Sequence, residues 1–153
     1  MNNKPLYKID TFQDGLYHFF DSISEGSAMQ KVVAFKQSEE NDLLYSLVFG
    51  NVAENGEIDV YTTNASNENM KVILGTVIST IEIFFKHHPD KIITFTGSTP
   101  ARTQLYRAVI GKFIDNQELL YNIYGFSTDG KVEIFQRHES YIGYFIQKKD
   151  ADN

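Results

Sequence analysis

The chain has no cysteine, no tryptophan and three prolines among its 153 residues. Without cysteine, disulfides, thiolate metal sites and a cysteine nucleophile are all excluded. Positive charge is also in deficit: 14 Lys and Arg face 20 Asp and Glu, for a formal charge of −6. Nucleic-acid and anionic-membrane binders rely on basic fields, so neither partner is expected. The longest apolar stretch, which begins at Met70, is interrupted by Lys71, Glu82 and Lys86. It falls short of the roughly 20 continuous apolar residues that a membrane-spanning helix needs. The N-terminus, Met-Asn-Asn-Lys-Pro-Leu-Tyr, lacks the apolar core of a signal peptide, and a cytoplasmic location is expected.

Two of the prolines, Pro89 and Pro100, punctuate the stretch that organises the chain. From Asn67 to His88 the apolar residues Met70, Ile73, Leu74, Val77, Ile78, Ile81, Phe84 and Phe85 recur at helical spacing, with His88 at the end of the same arc. Glu68, Lys71, Thr76, Ser79, Glu82 and Lys86 fall on the other side, which predicts a helix lying on a core and ended by Pro89. Lys91 to Thr96 reads as a strand, and Gly97-Ser98-Thr99-Pro100 as the opening of a second helix. There Thr99 is the expected N-cap, and Pro100 sits where no amide donor is missed. Ala101, Leu105, Tyr106, Val109, Ile110 and Phe113 form the apolar arc of that helix, and Arg102 falls within it.

The rest reads as sheet. Leu6 to Ile9 suits an edge strand, and Leu16 to Ile23 and Gln30 to Gln37 flank a Glu25-Gly26-Ser27 turn. Leu43 to Val52, apolar on both parities, suits a central strand, followed by Ile58 to Thr63. Leu119 to Phe126, Val132 to Gln136 and Tyr141 to Gln147 follow the second helix. A length of 153 residues suits one domain, with residues 1–5 and 148–153 as disordered tails. The expected fold is α+β: a twisted mixed, mostly antiparallel sheet with two helices packed on it. A right-handed crossover through the first helix should make the strands around Tyr61 and Ile93 parallel.

The candidate site is the second helix start. A glycine turn that opens a helix presents free amides, and the helix dipole favours an anion there. Gly97, Ser98, Thr99, Arg102, Thr103, Tyr106 and Arg107 are the residues that would line it. The alternative reading has Ser98 and Thr99 as caps and Arg102 paired with a carboxylate at the edge of the core. Neither a P-loop nor a dinucleotide glycine motif is present, so no nucleotide is expected. His88 reads either as an acid/base group or as a satisfied helix-end residue. No histidine pair has the spacing of a helical zinc motif, and neither metal nor cofactor is expected.

Thr96 to Arg107, Thr-Gly-Ser-Thr-Pro-Ala-Arg-Thr-Gln-Leu-Tyr-Arg, resembles the signature of a group of small uncharacterised bacterial proteins with a Thr-Pro-Ala-Arg-Thr-x-Leu-Tyr-Arg motif. That resemblance brings no activity with it. The order of antiparallel strands, long helix, strand and a helix with an Ala-Arg-x-Leu-Tyr-like stretch is similar to the acyl-CoA N-acyltransferase superfamily. There a Gln/Arg-x-x-Gly-x-Gly/Ala loop before the long helix binds the cofactor pyrophosphate. The corresponding Thr63 to Asn69 has no glycine and no arginine, so the similarity is one of layout. It would make Tyr106 and His88 the first acid/base candidates. Three readings stand: a binding or protein-interaction module for a small anionic ligand or a protein partner, a divergent acyltransferase-like enzyme, and a component of a small bacterial two-protein system.

Overall fold

The computed structural model describes residues 6–24, 27–60, 70–96, 100–117 and 120–149. Its strands are β1 (Asp10–Phe12), β2 (Tyr17–Ser24), β3 (Ser27–Gln37), β4 (Leu44–Val52), β5 (Ile58–Val60), β6 (Ile92–Thr96), β7 (Tyr121–Phe126), β8 (Val132–Ile134) and β9 (Gly143–Lys148). The helices are α1 (Met70–His87), between β5 and β6, and α2 (Pro100–Gln117), between β6 and β7. All the strands join one sheet in the order β1-β2-β3-β4-β6-β9-β7-β8, with β5 paired to β4 off that path. Among the described residues only β4 and β6 run parallel, so the sheet is mixed and mostly antiparallel, as expected. No helix among the described residues is long and apolar enough to cross a membrane.

The period of two assigns the faces. Phe20, Val33, Phe35, Tyr45, Leu47, Phe49, Ile93, Phe95, Tyr121, Ile123, Tyr144 and Ile146 point to one side and form the core with both helices. Phe84 of α1 meets Phe35 and Tyr45 at ring-centroid distances of 4.6 and 5.2 Å. Phe113 of α2 meets Tyr121 at 4.9 Å. Ile73, Ile81, Phe84, Phe85, Ile110 and Phe113 have no exposed surface, which fulfils the helical arcs read from the sequence.

Several expectations need correction. The parallel partner of β6 is β4, because the three-residue β5 folds back antiparallel on the end of β4 and so opposes β6 in direction. The N-terminal edge strand is Asp10–Phe12 rather than Leu6 to Ile9. Thr76, read as solvent-facing, has no exposed surface. The segment through Tyr7 lies over it, and Tyr7 N donates to Thr76 Oγ1 at 3.1 Å. Residues 148 and 149 are not tail: Lys148 pairs with Tyr121, and Lys149 N donates to Leu120 O at 2.9 Å. Residues 1–5 and 150–153 lie outside the described chain, as do residues 61–63 of the expected fifth strand and 67–69 of the expected helix start.

Candidate functional site at a strand divergence

The parallel pairing of β4 with β6 lasts three residues, Leu44↔Ile92, Tyr45↔Ile93 and Ser46↔Thr94. Higher up the same edge of β4, Gly50, Asn51 and Val52 are taken by β5. Backbone groups alternate between the two edges of a strand. Ser38 N donates to Leu44 O on the β3 side, and Ile92 N to Leu43 O on the β6 side, so the odd residues of β4 address β6 and β5. Another parallel rung would bring an amide of β6 to Leu47 O. Instead the Tyr106 hydroxyl donates to that carbonyl, at 3.4 Å. Tyr106 is buried, and its ring meets Phe95 edge-on at 5.5 Å. A side chain of α2 thus caps the point where the sheet opens.

Of the sequence-derived site residues, Tyr106 and Arg107 point to different places. Gly97, Ser98 and Thr99 lie outside the described residues, and so does the side chain of Arg102, whose backbone belongs to the first turn of α2. Thr103 is half-buried on the same turn. Tyr106 lies at the divergence, whereas Arg107 turns away to the connection between β8 and β9. Its guanidinium donates to Glu139 O at 3.2 Å and to Arg137 O at 3.0 Å. The buried Tyr144 hydroxyl lies beside it: burial raises the Tyr144 pKa, and the Arg107 charge acts against that rise.

His88 is satisfied at the helix end. Its Nε2 lies 2.9 Å from Asp14 O, and its ring stacks over Tyr45 at 6.0 Å. A second histidine, His18, is fully buried, with Nε2 at 2.7 Å from Gly15 O and Nδ1 at 3.0 Å from Thr11 Oγ1. Burial lowers its pKa. Both nitrogens of a neutral ring are served there, Nε2–H donating and Nδ1 accepting. No group of three or more His, Asp or Glu among the described residues is placed to hold a metal ion.

Among the buried polar residues that the sequence pattern did not single out, Lys31 is charged. Lys31 is buried on the core side of β3, with Nζ 2.5 Å from Asn51 Oδ1 and 6.0 Å from the centre of the Phe49 ring. The available signal was parity, since Lys31 shares that of Val33 and Phe35 and therefore had to face the helices. Its register partner on β4, Asn51, is four residues beyond Leu47, whose carbonyl Tyr106 caps. A separate cavity of about 390 Å³ opens beyond α2, walled by Ile114, Tyr121, Ile123, Tyr124, Ile134 and Phe135. Asn122 and Lys149 are its polar members, and Thr103, Tyr106 and Arg107 are not in its lining.

The chain belongs to a family of unknown function, DUF6934, whose model matches residues 3–149. No curated protein and no solved structure matches the chain.

Proposed function

We propose that this chain is a ligand-binding module that takes a small anionic molecule where β4 and β6 part, at the N-terminal half of α2. The observation that carries the reading is the Tyr106 hydroxyl on Leu47 O, 3.4 Å apart. A polar group held at an interrupted strand pair can trade its backbone partner for a ligand atom, because the rung it replaces is not otherwise made. The first turn of α2 adds a helix dipole that favours negative charge, and Arg102 belongs to that turn. The bacterial, cytoplasmic setting expected from the sequence is part of this proposal.

A second reading is a divergent acyl-CoA N-acyltransferase-like enzyme. Two parallel strands that separate after three pairs, a helix following the second of them and a tyrosine hydroxyl at the separation support it. An opened strand pair can accept an extended amide chain as an added strand, and Tyr106 is positioned to supply a proton. Thr63 to Asn69, without glycine or arginine, weighs against a pyrophosphate loop.

Calorimetry with inorganic phosphate, sulfate and acetyl-coenzyme A on the parent protein, Tyr106→Phe and Arg102→Met separates the readings. Anion binding weakened in both variants supports the module. Acetyl-coenzyme A binding together with Tyr106-dependent acyl transfer supports the enzyme. If none of the three raises the melting temperature of the parent protein, both readings fail, since any ligand of the folded state must do so by mass action.

A further inference from the structure

Strand β8 forms one edge of the sheet. Its inward bonds belong to odd residues: Ser127 N donates to Lys131 O at 3.0 Å, and Phe135 N to Ile123 O at 2.9 Å. By alternation, the backbone N–H and C=O of Val132 and Ile134 point out of the sheet. Their side chains share the helix-free face with their neighbours Phe126 and Tyr124, and they are 55% and 69% exposed. Lys131 and Glu133 lie on the opposite face. There Lys131 Nζ is 3.5 Å from Glu133 Oε1, and the Tyr141 hydroxyl holds Oε2 at 2.6 Å.

This pattern is complementary to itself. If Val132 sits on a two-fold axis and pairs antiparallel with Val132 of a second copy, both residues use their outward groups. The same register sets Lys131 of each chain directly opposite Glu133 of the other. Opposite charges facing across strands stabilise such a pair, and like charges there would oppose it. Tyr141 fixes one oxygen of Glu133 and orients the carboxylate, leaving Oε1 on the side where its own lysine already lies. On the other face, Val132 and Ile134 of both copies would meet in one apolar cluster extended by Tyr124 and Phe126. Gly130, at φ +84°, turns the chain away and limits the new ladder to a few residues. A closed, symmetric pair rather than an open fibre then results.

We infer that β8 is a homodimerisation edge, on which a second copy of this chain adds antiparallel about Val132 with reciprocal Lys131–Glu133 pairs. The test is sedimentation equilibrium of the full chain over a concentration series reaching about 1 mM, the weak end of specific association. The expected result is a mass that doubles with concentration. Lys131→Glu and Glu133→Lys should each remain monomeric, because each places like charges opposite one another. An equimolar mixture of the two should recover the dimer, since every pair across that interface is again of opposite sign. Circular dichroism and thermal melts establish that both variants are folded. A parent protein that stays monomeric throughout overturns the inference. So does a dimer indifferent to either substitution, or a mixture of two folded variants that does not associate.

Discussion

His88 Nε2 lies 2.9 Å from the carbonyl oxygen of Asp14, which ties the end of α1 to the turn between β1 and β2. That turn is left-handed at three successive residues, with φ values of 53°, 56° and 86° at Gln13, Asp14 and Gly15. Non-glycine residues in that region carry strain, so the turn needs external bonds to hold it. His88 provides one, and the buried His18 provides another through Gly15 O at 2.7 Å.

The first prediction follows from His18. Its pKa in the folded protein lies below the ordinary 6.5, chiefly because burial disfavours the charged ring. Between the folded value and 6.5 the unfolded chain binds more protons, so stability rises with pH there. The contribution is fully present above pH 6.5 and is lost as pH falls through the folded value. Urea midpoints measured between about pH 7.5 and about pH 5 should fall less steeply in His18→Gln than in the parent protein. Parallel curves would show that the ring does not carry the dependence.

Ile81 lies at the centre of α1 with no exposed surface. Ile81→Asp places a carboxylate in that core without a partner and should cost more than about 4 kcal/mol. The expected outcome is a chain without a cooperative melt at ordinary temperature. A melting temperature close to that of the parent would contradict the packing of α1 on the sheet.

Thr76 makes a subtler connection. Its hydroxyl donates to Val72 O at 2.8 Å and accepts from Tyr7 N at 3.1 Å. Thr76→Val preserves the volume but leaves the Tyr7 amide without its acceptor. A loss of about 1 kcal/mol is expected, with faster hydrogen exchange at Tyr7 as the specific signature.

Local chemistry explains which parts were legible. The helices were readable because Pro89 and Pro100 punctuate them and because residues such as Ile73, Ile81, Val109 and Phe113 repeat at helical spacing. The strands were readable from alternation, within a few residues at their ends. The partner of β6 was not, since choosing β4 over β5 depends on where a three-residue strand folds back. Burial of Thr76 was hidden for a similar reason: the segment through Tyr7 covers it from 69 residues away. At the candidate site, Tyr106 was recoverable from the motif at the start of α2. The interrupted ladder it caps was not, because Leu47 is 59 residues distant.

The last prediction sets two glycines against each other. At Gly125 of β7 an added Cβ would lie 2.5 Å from the Tyr141 ring, whereas at Gly111 of α2 it would meet nothing within 4 Å. Tyr141 cannot easily retreat. It is buried, its ring packs on Phe135 and Tyr144 at 5.7 and 5.9 Å, and its hydroxyl accepts from Gln136 N at 3.0 Å while donating to Glu133. Gly125→Ala should therefore cost about 1–3 kcal/mol through overpacking. Its effect should reach Glu133, whose pKa is held below the ordinary carboxylate value first by the Tyr141 hydroxyl. Displacing that ring should move the Glu133 titration upward, a shift readable by carboxyl-carbon NMR. Gly111→Ala removes chain entropy from the unfolded state and improves helix propensity without a clash, so a gain of about 0.5–1 kcal/mol is expected. Opposite signs for the same chemical change would confirm that the Tyr141 ring is seated on Gly125. A neutral Gly125→Ala with an unmoved Glu133 titration would mean that the ring is free to give way.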